Sequence, residues 1–308
     1  MAQVEANGLS FDVEDSGDRN APVVLLIMGL GTPAALWPDG FVDRLLAAGL
    51  RVIRFDNRDC GHSTRLRSAT VSRNLTGAIA RALMRLPVRA PYTLDDMADD
   101  AAGLLTALGV ARAHVVGASM GGMIAQVLAA RHPGRVLSLV SIMSNSGNPS
   151  PRLALGKPRA LRAILHRPRN VDDVQQLTDH LIRVFGIIGS PGYPSEPHLL
   201  RAQLERVALR GYYPAGTARQ LLAILASGDR RPQLARITAP TLVIHGQDDP
   251  LVPVAAGIDT ARHIRGARLE VIPGMGHDFP PALQPRITEL IAAHVRGAEA
   301  ASAVPTAA

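Results

Sequence analysis

The chain of 308 residues holds 47% hydrophobic and 19% charged residues, which suits one large globular domain with a sizeable core. Aromatic residues make up only 3%, which argues against a binding site of stacked rings, and the single cysteine, Cys60, excludes an intramolecular disulfide framework or a Cys-rich zinc site. The net charge of +7 comes from arginines spread along the chain and one lysine, Lys157; no nucleic-acid-binding motif accompanies them, so solvated surface is expected rather than a nucleic-acid partner.

The first residues lack the basic segment and apolar core of a secretory signal, and no apolar run is long enough to span a bilayer. A soluble cytoplasmic protein with no membrane partner is the expectation. "QVEA" and "LSFDVED" alternate by side around Asn7-Gly8, a favoured two-residue hairpin turn. Short β-branched or apolar runs then follow: "VVLLIM" (23–28), "RVIRF" (51–55), "HVVG" (114–117), "RVLSLVSIM" (135–143), "TLVIH" (241–245) and "RLEVI" (268–272). They read as buried strands. Helical patterns lie between them at 37–49, 93–109 and from Ser119 to just before Pro133, and "PPALQPRITELIAAHVR" supplies a last helix. This alternation implies an α/β protein whose mostly parallel sheet carries helices on both faces.

Residues 148–230 break the alternation, being rich in helix formers, Pro and Arg and without a convincing strand. The expected organisation is a first core segment at 1–147, a helical cap or lid insertion at 148–230, a second core segment at 231–296 and a disordered tail at 297–308.

Two serines stand beside glycines. Gly117-Ala118-Ser119-Met120-Gly121 follows the strand "HVV" and opens directly into a helix, the context of a nucleophile elbow. Flanking glycines let strand and helix backbones pass closely. The helix start places the Met120 N–H where an oxyanion would form after attack by Ser119. Gly61-His62-Ser63 also follows a strand, but Arg65 stands where a second glycine would be and no periodic helix follows, so Ser63 reads as loop structure.

These motifs resemble those of the α/β-hydrolase family, in the order Ser, acid, His, over residues 3–296 except the insertion. "GQDDPLVP" resembles that family's Gly-x-x-Asp-x-x-x-Pro segment, and Gly246 with Pro253 aligns Asp249 as the acid. Asp248 remains its rival, since a one-residue shift in the turn would exchange their directions. His277, in "VIPGMGHDFP", occupies the family's position for the base. Asp278 reads as a loop hydrogen-bonder, and His245 as a packed or pocket-wall residue. The second oxyanion donor comes, by the same resemblance, from Leu30 in "MGLG", although the family's frequent His-Gly is here Met28-Gly29. "DNRDCGHS" is similar to the family's Asp-x-Arg-x-x-Gly-x-Ser loop.

The resemblance implies a serine hydrolase acting through an acyl-enzyme on a small to medium apolar ester, with no cofactor and no metal. A small-molecule ester is the expected partner, and the oligomeric state is open. "MGLG", "DNRDCGHST" and "IPGMGH" together look most like the branch of polyketide methyl esterases of the aclacinomycin type. Lactone hydrolysis, C–C bond hydrolysis and cofactor-free perhydrolysis use the same residues and stay open, as does a non-catalytic small-molecule receptor.

Overall fold

The computed structural model describes residues 2–66, 75–166, 168 and 170–303. Among these, the strands are β1 Ala2–Ala6, β2 Leu9–Ser16, β3 Val23–Ile27, β4 Arg51–Phe55, β5 Ala113–Ala118, β6 Val136–Ile142, β7 Thr241–Gly246 and β8 Arg268–Ile272. They form one sheet in the order β1-β2-β4-β3-β5-β6-β7-β8, antiparallel as far as the β2–β4 pair and parallel beyond it. Asn7 and Gly8 turn the β1–β2 hairpin with positive φ at both residues, 52° and 74°, the twist such a turn requires.

The helices are α1 Asp39–Ala47, α2 Leu75–Leu83, α3 Leu94–Ala107, α4 Met120–Arg131, α5 Pro151–Ala154, α6 Pro158–Leu165, α7 Val174–Ile188, α8 Pro197–Leu209, α9 Pro214–Ser227, α10 Arg231–Leu234, α11 Val254–His263 and α12 Gln284–Ala303. Strand residues alternate between two cores. Leu25, Ile27 and Val115 face Leu104, Leu105 and Ile124 of α3 and α4, whereas Leu26, Val116 and Ile244 face Phe41, Ile287 and Ile291 of α1 and α12. Both faces of the central strands are therefore apolar, which explains their unbroken hydrophobic runs.

Two elements depart from the expectation. Helix α2 lies in a stretch assigned no element from the sequence, and it packs on α9. The tail expected to be disordered from 297 instead continues α12 to Ala303. Its alanines are strong helix formers, Ala298 is buried, and the Glu299 carboxylate lies 3.0 Å from Nε2 of His114 on β5. Residues 304–308 lie outside the described residues.

Helices α5 to α9 sit between β6 and β7 in the chain and cover the C-terminal ends of the strands. Buried ion pairs tie them to the loop after β4. Arg219 of α9 grips both oxygens of Asp59 at 2.7 Å, and Arg210, just beyond α8, reaches Asp12 and Asp56. The Arg219 and Asp59 side chains are 2% and 0% exposed, so neither charge is compensated by water. Losing one partner strands the other in the interior. Arg219→Met is expected to lower the unfolding free energy by about 3–5 kcal/mol in equilibrium urea denaturation. A change below about 1 kcal/mol, the range of exposed pairs, would show that the pair does not anchor the cap.

Candidate active site

The site lies at the C-terminal ends of β3, β5, β7 and β8, where parallel strands deliver their following loops to one edge. Ser119 stands between β5 and α4 with φ 56° and ψ −120°, a conformation that non-glycine residues rarely adopt. The crossing around it is close. A Cβ on Gly117 would meet the Gly121 carbonyl oxygen at 2.1 Å, and one on Gly121 would meet that of Ile27 at 2.0 Å. The Ser119 N–H donates to Ile142 at 2.9 Å, and its carbonyl accepts from Gly122, Met123 and the Ser144 hydroxyl. All of its backbone groups are thereby committed, which leaves Oγ as the group presented to the cavity.

Met120 is the first residue of α4, so its N–H has no intrahelical acceptor. In the loop after β3, the Gly31 N–H donates to the Gln220 side chain at 2.7 Å and the Thr32 N–H to the Gly29 carbonyl. Leu30 lies between these engaged groups and borders the same cavity as Ser119 and Met120. Gly31 needs its positive φ of 64°, and a Cβ there would strike the Thr217 hydroxyl of α9 at 2.5 Å.

The Nδ1–H of His277 donates to Oδ2 of Asp249 at 2.7 Å. The other Asp249 oxygen accepts the N–H groups of Leu251 and Val252, each at 2.8 Å, so the carboxylate is fully hydrogen-bonded although buried. Asp248 is exposed and accepts from the Gly274 N–H at 2.8 Å instead, so the turn directs only Asp249 toward His277. His245 packs behind this pair. Its Nε2–H donates to the Val252 carbonyl at 2.9 Å and lies 3.7 Å from Asp249, while burial pushes its pKa down and keeps the ring neutral. With Nδ1–H held by Asp249, Nε2 of His277 is free to accept a proton. No hydrogen bond joins His277 to Ser119 among the described residues, a contact that in such sites often tightens only when substrate is bound.

Ser63 has other work. Its hydroxyl donates to the Asp56 carbonyl at 2.6 Å and accepts the Asp12 N–H at 2.9 Å, so it is buried loop structure away from the cavity.

A cavity of about 360 Å³ opens over Ser119, with His277, Leu30 and Met120 at its base and apolar residues of α6 to α9 above. The end of α7 is fastened to the His277 loop. The His277 N–H donates to the Ile188 carbonyl at 2.8 Å, the Gly192 N–H to Gly274 at 2.9 Å, and the Ser190 hydroxyl to Asp278 at 2.5 Å. The same hydroxyl accepts the Gly276 N–H at 2.9 Å. Burial pushes the Asp278 carboxyl up from its usual range. On the other side, Phe279 stacks into a ring cluster with Trp37 and Phe41, at 5.0 and 5.4 Å between centroids. Sequence reasoning places Asp278 in a loop but misses Ser190, because no local pattern links residues so far apart in the chain.

Comparison with known proteins agrees with this geometry. A family model described as the alpha/beta hydrolase fold matches residues 22–183. Rhodomycin D methylesterase of Streptomyces peucetius is 31% identical over 303 residues, covering 92% of this chain and 94% of the relative. Among solved structures, the enol-lactonase from Burkholderia xenovorans LB400 is 24% identical with a TM-score of 0.68, covering 96% of this chain and 100% of the other. The meta-cleavage product hydrolase from Pseudomonas fluorescens IP01 is 20% identical with a TM-score of 0.72, covering 97% and 98%. With the strand order and the strained serine turn already in place, these likenesses lead to one conclusion: the chain belongs to the α/β-hydrolase fold family and is a hydrolase.

Proposed function

We propose that the protein cleaves a carboxylic ester of an apolar alcohol or acid through a covalent acyl-serine. The observation that carries this reading is the 2.7 Å contact between His277 Nδ1 and Asp249 beside the cavity that Ser119 enters in its strained turn. Asp249 holds the tautomer with the proton on Nδ1 and stabilises the imidazolium that forms. His277 Nε2 takes the proton of Ser119 as Oγ attacks the ester carbonyl carbon. The carbonyl oxygen becomes an oxyanion between the N–H groups of Leu30 and Met120, which are fixed in direction before the reaction starts. Collapse expels the alkoxide, which leaves as the alcohol after His277 returns its proton. A water molecule deprotonated by His277 then attacks the acyl-serine, and the second collapse frees the acid and restores the hydroxyl.

The apolar lining favours substrates whose acyl or alkyl part is hydrophobic, and the volume of about 360 Å³ suits a small to medium one. The likeness to a methylesterase supports a methyl ester as the scissile group. We read residues 148–230 as the cap that shapes specificity, since α6 to α9 supply the upper walls.

Activity against methyl and p-nitrophenyl esters of graded acyl length tests the proposal. Ser119→Ala is expected to lower kcat on the order of 10⁴-fold or more without loss of fold, and full retention of activity in a pure preparation would remove Ser119 from the mechanism. Asp249→Asn is expected to lose on the order of 10⁴-fold in kcat through the wrong His277 tautomer. Asp248→Asn should change it less than about tenfold, and the reverse ranking would reassign the acid. Asp278→Ala, which releases the His277 loop from Ser190, is expected to lower kcat on the order of 10- to 100-fold by misplacing the base. A rise in KM with unchanged kcat would instead give Asp278 a role in binding alone.

A further inference from the structure

Helix α7 presents one face to the cavity. Leu177, Leu181, Val184 and Ile188 recur at the spacing of a helical stripe, and His180 stands among them. A leucine at that position would complete an apolar wall. His180 is only 9% exposed, yet its ring nitrogens make no hydrogen bond among the described residues. The exposed ring of His166, beyond α6, stacks beside it at 5.5 Å between centroids and 27° between ring planes, and borders the same cavity.

Although the side chain is mostly covered, its ring nitrogens keep accessible surface, and because His180 borders the cavity a polar group that enters there can complete them. Resting on the ester-hydrolase reading, we propose that His180 is a specificity-determining residue that hydrogen-bonds a hydroxyl on the apolar part of the substrate, far from the ester carbonyl. Burial, together with His166 and Arg183, pushes the His180 pKa down. A neutral imidazole offers one donor and one acceptor, which matches a hydroxyl group and matches a carboxylate or ammonium group poorly.

The helix itself sets the separation. His180 is eight residues before Ile188, whose carbonyl holds the His277 N–H. At the rise of an α-helix His180 lies about 12 Å along α7 from Ile188, where that helix meets the His277 loop. An ester whose acyl or alkyl chain carries a hydroxyl at the far end of eight carbons reaches that range.

Binding to the Ser119→Ala protein tests this without turnover. Methyl ω-hydroxyoctanoate is compared with methyl octanoate by isothermal titration calorimetry, and ω-hydroxyoctyl acetate with octyl acetate in a second arm that puts the hydroxyl on the alcohol side. Each pair is then measured in Ser119→Ala/His180→Phe and Ser119→Ala/His180→Leu. The expected result is that both apolar replacements shift the affinity ratio against the hydroxylated ester by roughly tenfold in at least one arm. The unsubstituted esters should bind within about twofold of the parent, and the melting temperature should not fall, since the imidazole leaves no protein partner behind. An unchanged ratio in both arms overturns the proposal, as does a loss of affinity equal for hydroxylated and plain esters. Hydrolysis of methyl octanoate by the protein with Ser119 intact reports separately on the ester-hydrolase reading, so failure of one is distinguishable from failure of the other.

Discussion

A serine held at φ 56° between a strand and a helix is the constraint around which the site is arranged. Such a conformation costs on the order of 1–3 kcal/mol and persists only where surrounding structure over-determines it. Here the surroundings are backbone. The Ser119 N–H is tied to β6, its carbonyl to the first turn of α4, and α4 passes so close to β3 and β5 that only glycine fits at positions 117 and 121. The same crossing aims the start of α4, and with it the Met120 N–H, at the space where Ser119 Oγ would form a bond. Strain, helix direction and the uncommitted Met120 N–H are therefore one feature of the fold.

The loop after β4 performs a different task with buried charge. Asp56 is fully buried and accepts from the Ala34 N–H, the His62 N–H and Arg210, while a Cβ on Gly61 would fall 1.9 Å from its carboxylate. Asp59 accepts from the Leu66 N–H, the Tyr92 hydroxyl and Arg219. Burial of ionic groups is expensive unless their oxygens are hydrogen-bonded, and both oxygens of each carboxylate are, by donors drawn from the core and from the helices between β6 and β7 together. Arg210 and Arg219 belong to the helical segment between β6 and β7, so this loop fastens that segment to the sheet. In sequence, "DNRDCGHS" resembles only a family loop; in space it is the joint between two parts of the molecule.

The contrast between local and distant signals explains what could be read from the chain. The strands were legible because burial on both faces leaves unbroken apolar runs, and Ser119 because the glycines, the strand and the helix that define its turn are neighbours in sequence. Asp249 and Asp248 could be aligned but not separated by direction, since the decision rests on which carboxylate receives the Leu251 and Val252 N–H groups and which receives that of Gly274. Ser190 and His180 carried no signal, because their significance depends on where α7 docks. Helix α2 escaped notice for the same reason, its packing partner being α9 rather than a neighbour in the chain. The helical extension to Ala303 was misread as tail because small residues and a nearby proline resemble a linker, whereas Ala298 and Glu299 find partners on the core.

Helix α7 makes two sets of contacts that bear on the site. Its last turn and the residues after it hold the loop of His277 by four hydrogen bonds, while Phe279 is seated among Trp37 and Phe41 in the core. His277 is thus suspended between an α7 contact on one side and a core contact on the other. Two turns earlier the same helix faces the cavity with His180. The same helix thus carries the His180 face at one position and, eight residues on, the Ile188 carbonyl that fixes the His277 backbone. Under the proposed function, the wall that meets the apolar part of a substrate and the contact that seats His277 belong to one element, so the fold needs only the docking of α7 to place both.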